Sequence, residues 1–69
     1  MEKDGIGSII FKLRKEYKLN QNEFGKKLGY SQRTISDWEN GNTEPNIEAI
    51  KKITALFDIT YEELLNFTY

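Results

Sequence analysis

The 69-residue sequence contains no cysteine and no histidine. Without cysteine there is no disulfide and no thiolate metal site, a composition suited to a reducing cytoplasm. Without histidine the chain lacks the usual zinc ligand and the usual general base near neutral pH. Neither a metal nor a cofactor is therefore expected. Long hydrophobic runs are missing too. The longest, Ile9-Ile10-Phe11 and Ala55-Leu56-Phe57, are far too short to span a bilayer. The opening stretch Met1 to Gly5 lacks the basic-then-apolar plan of a secretory signal, so a cytoplasmic location is expected. A single proline, Pro45, interrupts an apolar pattern too periodic for a disordered chain. There is no strand-like alternation, internal repeat, linker or low-complexity stretch.

A chain of this length makes one domain, near the lower limit for unaided folding, with a radius of gyration of about 11 Å. It can hide a small core but not a deep substrate pocket as well. Net charge is −1, which on its face argues against nucleic acid. The distribution does not: residues 12–33 carry a local +5 from Lys12, Arg14, Lys15, Lys18, Lys26, Lys27 and Arg33 against Glu16 and Glu23. Residues 34–69 carry a local −5. So polarised a chain can present a positive face to phosphate, but a solvated mixed surface fits the charges equally well.

Caps and staples divide the chain into five helices. Ile6, Ile9, Ile10, Leu13 and Tyr17 share one helical face, placing helix 1 at about residues 6–17. Asn20 can cap helix 2, Glu23 can reach back to it, and Leu19 can staple onto Phe24. Helix 2 then runs from Gln21 to a stop at Gly29. Ser31 caps helix 3, Tyr30 staples onto Ile35, and the helix ends at Gly41. Pro45-Asn46 opens helix 4, with the apolar stripe Ile47, Ile50, Ile53, Leu56 and Phe57. Thr60 with Glu63, and Ile59 with Leu64, open helix 5. The fold class expected is all-α, five helices in a single domain over residues 1–69, with a folded core of about residues 5–66.

Helices 2 and 3, joined by the short turn Leu28-Gly29-Tyr30-Ser31, have the layout of a helix-turn-helix. Gly25 lies one turn before the Gly29 stop, where glycine costs roughly 0.5–1 kcal/mol of helix propensity relative to alanine. Close approach of two backbones would explain it. On helix 3, Ile35 and Trp38 point one way, with Leu28 and Phe24 as neighbours, while Gln32, Arg33, Ser36 and Asp37 point the other. Gln and Arg suit base edges, Gln pairing with adenine and Arg bidentately with guanine. Asp37 accepts from a cytosine amino group or steadies Arg33 one turn away; the spacing allows either. Catalysis lacks a vehicle, because acid–base chemistry needs carboxylates paired in a cleft. Glu62-Glu63 reads as the acidic first turn of helix 5, and Asp37 and Glu39, two apart, diverge.

From Ile6 to Leu65 the sequence resembles the lambda-repressor-like (Xre/Cro) helix-turn-helix family. The resemblance rests on Leu13-Arg14, Leu19-Asn20-Gln21, Glu23-Phe24-Gly25, Leu28-Gly29, Ser31, Thr34-Ile35-Ser36, Trp38-Glu39-Asn40-Gly41, Pro45 and Leu64-Leu65. It implies a five-helix fold, a repressor or regulator role, double-stranded DNA as partner and a nucleoid-associated location. Carried over by position, it implies that Gln32, Arg33 and Asp37 read bases, with Thr34 and Ser36 supporting. Gln21 becomes a phosphate clamp at a helix N-terminus, where backbone amides also favour anions. Asn40, Asn42 and Thr43 become phosphate contacts of the following loop. It also implies that Arg14 and Glu39 meet as a largely buried ion pair. The chain departs from the family's pattern at Gly25, usually Ala, at Glu44, where members often carry a base or neutral residue, and at Ile9 and Phe11, usually polar.

The rival reading is a protein-interaction module of the same fold with a silent DNA face, favoured by the acidic second half. The Gln/Arg-bearing start of helix 3 opposes it, since protein-binding patches more often carry aromatic or aliphatic anchors. One such domain offers a single reading helix, so a homodimer on a palindromic operator is expected, with half-sites about 34 Å apart. Tyr61, Leu65, Phe67 and Tyr69 are the candidate dimer surface; alternatively Leu65 and Phe67 fold back onto helix 1. Ile9 and Phe11 form a second candidate surface. No small-molecule ligand and no membrane partner are evident.

Overall fold

The structure, a computed structural model, describes residues 5–66. Those residues form five helices and no strand: α1 (Ile6–Glu16), α2 (Gln21–Leu28), α3 (Gln32–Asn40), α4 (Ile47–Phe57) and α5 (Tyr61–Leu65). Four of the five starts are made by side chains, because the first amides of a helix have no partner within it. Asn20 accepts from the Glu23 amide while the Glu23 carboxylate accepts from the Asn20 amide, and Thr60 and Glu63 do the same for α5. Ser31 accepts from the Thr34 amide and Asn46 from the Ala49 amide. At the ends of α2 and α3, Gly29 (φ 87°) and Gly41 (φ 79°) adopt the left-handed conformation that side chains disfavour.

Helix 1 ends at Glu16, within a residue of the expected bound. Tyr17 is its C-cap, and Lys18 follows with φ 59°, turning the chain toward α2. Tyr17 is about half exposed rather than buried on the helix face. Its ring packs on Phe57 with centroids 4.4 Å apart, and Phe57 in turn stacks on Phe24 at 5.8 Å.

The core gathers Ile10 and Leu13 from α1, Phe24 and Leu28 from α2, Ile35 and Trp38 from α3, Ala49 and Ile53 from α4, and Leu64 from α5. Helix 4 differs from its predicted stripe. Ala49 and Ile53 are buried, Ile50 and Phe57 pack at the edge, and Ile47 and Leu56 are exposed, Ile47 by 74%. The face in contact runs through Ala49 and Ile53, four residues apart, whereas apolar spacing alone selected the bulkier side chains. Ile9 also departs from expectation as free surface, since it packs against the core. Phe11 is exposed, but Arg14 and Lys15 lie over its ring at 5.3 and 5.8 Å.

Two glycines allow the helices to approach. A Cβ on Gly25 would collide with the Tyr30 carbonyl oxygen, which makes α2 and the turn before α3 mutually close. A Cβ on Gly7 would land on the carbonyl oxygen of Trp38, so α1 crosses α3 backbone to backbone. Spacing suggested the first contact; nothing in the sequence singled out the second.

Candidate nucleic-acid interface

The turn between α2 and α3 is closed by one carbonyl. Gly25 O accepts from both the Gly29 and Tyr30 amides at 2.8 Å, ending α2 and turning the chain within two residues. Ser31 then restarts the helix, and its hydroxyl lies 3.0 Å from that of Thr34. Ile35 and Trp38 enter the core, and the Tyr30 ring meets Trp38 edge-on at 5.1 Å. This anchoring decides what α3 shows to solvent: Gln32 and Arg33 are exposed, and Ser36 and Asp37 are half-buried.

The Arg33 side chain is 86% exposed, and its Nε stands 3.6 Å from Asp37 Oδ2. Asp37 thus stands within ion-pair distance of Arg33, the neighbour that one of the two readings requires. It also braces the next loop. Its carbonyl accepts from the Asn42 amide at 2.9 Å and the Thr43 amide at 3.3 Å, and its Oδ1 accepts from Asn42 Nδ2 at 3.4 Å. Asn42 and Thr43 are therefore placed by α3 itself, a link the sequence did not reveal. Asn40 Nδ2 donates to Ser36 Oγ at 3.3 Å, so these two polar groups steady each other on α3.

Arg14 and Glu39 meet. Arg14 Nε donates to Glu39 Oε2 at 2.7 Å and Nη2 to Oε1 at 3.0 Å, a two-pronged pair with side chains only 8% and 5% exposed. Arg14 Nη1 donates to the Leu19 carbonyl at 2.9 Å. Gln21 joins them, its Nε2 donating to Glu39 Oε1 at 3.0 Å. An amide nitrogen carries two hydrogens, so one remains for an anion. The network ties α1, the turn after it, the first residue of α2 and the last turn of α3 into one unit. Lys15 and Lys18 line a cleft with Asn20 and Glu23, putting part of the positive segment at the start of α2.

Of the residues expected at a dimer surface, Tyr61 and Leu65 are exposed, by 57% and 45%. Phe67 and Tyr69 lie outside the described residues. The side chain of α5 that enters the core is Leu64, not Leu65. Among the described residues, no cluster of acidic side chains could hold a metal ion, and no helix is long and apolar enough to cross a membrane.

A turn of this geometry, with its second helix buried on one side and Gln/Arg-bearing on the other, defines a helix-turn-helix protein. Residues 10–64 match the family model described as helix-turn-helix. The chain belongs to that family, in its lambda-repressor-like (Xre/Cro) branch. It is 39% identical over 54 residues to the HTH-type transcriptional activator BcrR of Enterococcus faecalis, covering 78% of this chain and 26% of that protein. It is 37% identical over 54 residues to the ImmF control region 10 kDa protein of Bacillus phage phi105, covering 78% of this chain and 60% of the relative. The repressor protein C2 of Salmonella phage P22 is 35% identical over 60 residues, covering 87% of this chain and 28% of that one. The chain thus spans between about a quarter and three fifths of the length of these relatives. Among solved structures, the P22 c2 repressor in complex with a synthetic operator superposes with a TM-score of 0.77 and 33% identity, covering 91% of this chain and 96% of that one. A transcriptional regulator from Listeria innocua, 23% identical with a TM-score of 0.80 over 94% of this chain and 61% of that one, shares the fold.

Proposed function

We propose that this protein is a sequence-specific, double-stranded DNA-binding regulator, acting as a repressor in the cytoplasm. It reads the major groove with α3, binding as a homodimer on a palindromic operator. One observation carries the reading: Gln32 and Arg33 are exposed on the first turn of a helix whose opposite side is sunk in the core. A helix so anchored inserts its first turn without moving the domain beneath it. The similar P22 c2 repressor is in complex with a synthetic operator, which supports DNA as the partner.

Gln32 and Arg33 read base edges, and Asp37 holds Arg33 in register. Thr34 and Ser36 sit between them. Gln21 clamps a phosphate with its second amide hydrogen, while Asn40, Asn42 and Thr43 seat the neighbouring backbone. Phosphate contacts of this kind set orientation, and base contacts set sequence. Selection of this protein on random duplexes tests the reading: enrichment of a two-fold symmetric motif is expected. Failure to enrich any motif would transfer the case to a protein-binding role for the same surface.

A further inference from the structure

The pair Arg33–Asp37 runs against the dipole of its own helix. A helix favours anions near its N-terminus and cations near its C-terminus. Helix α3 has no acid in its first turn and no base in its last; Arg33 lies in the first turn and Asp37 in the last. For an i,i+4 pair this order is the weaker one, and with the Arg33 side chain 86% exposed the contact adds little to stability. Helix stability therefore does not account for the pair.

The carboxylate is held from two sides. Its Oδ2 stands 3.6 Å from Arg33 Nε, and its Oδ1 accepts from Asn42 Nδ2 at 3.4 Å. The Asp37 carbonyl takes the Asn42 and Thr43 amides, which fixes the loop that carries this second tether. With Nε beside Asp37, the remaining guanidinium hydrogens all lie on the two terminal nitrogens. Two such nitrogens match O6 and N7 of a guanine.

We infer, on the proposed DNA-binding reading, that Asp37 is a positioning residue that decides specificity: it commits Arg33 to a guanine and withholds it from phosphate. Without Asp37, Arg33 is a long exposed cation whose nearest anions on any duplex are phosphates, and a phosphate contact carries no sequence information. Beside Asp37 its charge is offset, and the carboxylate is itself repelled by the backbone. Both effects weaken binding to every sequence. A guanine returns the loss, because O6 and N7 carry no full charge for the carboxylate to oppose. Asp37 thus lowers affinity in general and raises the ratio of specific to non-specific binding.

The test measures the affinities of the parent, Asp37→Asn, Asp37→Glu, Arg33→Ala and the double variant Arg33→Ala, Asp37→Asn. The duplexes are a site selected from random sequence, the same site with each guanine in turn replaced by adenine, and a scrambled duplex. Asp37→Asn is isosteric and keeps the carbonyl that holds the loop, so the variant folds, as a thermal melt checks. It should bind the scrambled duplex more tightly than the parent does, with a log–log salt slope steeper by about 0.9, one more phosphate being neutralised. Its preference for the guanine that Arg33→Ala ceases to recognise should fall by about fivefold or more, the lower end of what one bidentate pair discriminates. Asp37→Glu keeps a carboxylate at i,i+4 and should restore most of that preference. With Arg33→Ala already in place, Asp37→Asn should leave preference unchanged at every position. Parental guanine preference in Asp37→Asn, or parental affinity for the scrambled duplex, overturns the inference. So does an Arg33→Ala variant that loses preference at a base other than guanine, or an effect of Asp37→Asn on preference that persists without Arg33, which would make Asp37 a base reader in its own right. All of these leave DNA binding intact; a parent that enriches no duplex overturns both.

Discussion

Arg33 and Gln21 both offer nitrogen donors to a polyanion, yet the structure holds them differently. Arg33 projects from the exposed first turn of α3 with a single long contact to Asp37. Gln21 is tied to a buried carboxylate on another helix. Arg33→Ala should therefore cost about 1–3 kcal/mol on the selected site and relax preference at one base pair. Gln21→Ala should weaken binding to all sequences by a similar factor, and competition assays with single-base variants of the site separate the two. The reverse pattern would exchange their roles. Gly7 calls for its own variant. An added methyl favours helix by about 1 kcal/mol but must displace the Trp38 carbonyl, and such overpacking costs about 1–3 kcal/mol. A melt of Gly7→Ala should thus show a net loss, at roughly 4–8 °C per kcal/mol for a domain of this size. An unchanged or raised Tm would mean that α1 and α3 separate easily.

At the scale of the helices, the buried Arg14–Glu39 pair is the joint most exposed to damage. Four of the five helix starts are stabilised locally by a side-chain cap worth about 1 kcal/mol, but packing α1 against α3 around a charge requires that both partners be present. Glu39→Ala leaves Arg14 buried with only the Leu19 carbonyl to accept from it, and removes the partner of Gln21. The expected loss is about 3–5 kcal/mol, a large share of the stability of so small a domain. Denaturant unfolding measures it directly, and a variant that melts like the parent would show the pair to be worth no more than a surface ion pair. Because Gln21 hangs from the same carboxylate, a folded Glu39 variant should also bind all duplexes more weakly while keeping its preferred sequence.

The whole molecule is acidic in sum and polarised in detail. Its principal extents are 27 × 25 × 24 Å, two to three Debye lengths of about 8–10 Å, so exposed charges on opposite faces are largely screened from one another. Binding must then overcome a net −1 by local arrangement. Affinity should fall steeply with salt, by about 0.9 in log–log slope for each phosphate neutralised. A titration against the selected site and a scrambled duplex reads this. Similar slopes with a constant affinity gap would separate phosphate seating from base reading; equal affinity for both at every salt concentration would remove sequence-specific reading.

By itself the sequence determined what depends on neighbours along the chain. Asn20, Ser31, Asn46 and Thr60 meet amides three residues ahead, and Gly29 and Gly41 relieve a local steric conflict, so these four helix starts and both glycine stops were legible. The outward face of α3 was legible for the same reason, since Ile35 and Trp38 set its phase. The tertiary structure decided what depends on distance across the fold. Only the crossing of α1 over α3 explains Gly7, and only the packing of α4 buries Ala49 while leaving Ile47 in solvent. The bond from Gln21 to Glu39 and the bracing of Asn42 and Thr43 by Asp37 also had no signature in spacing. The physical reason is the same in each case: hydrophobic periodicity records that a face is buried, but which residue on it meets a neighbour is set by how closely two backbones approach.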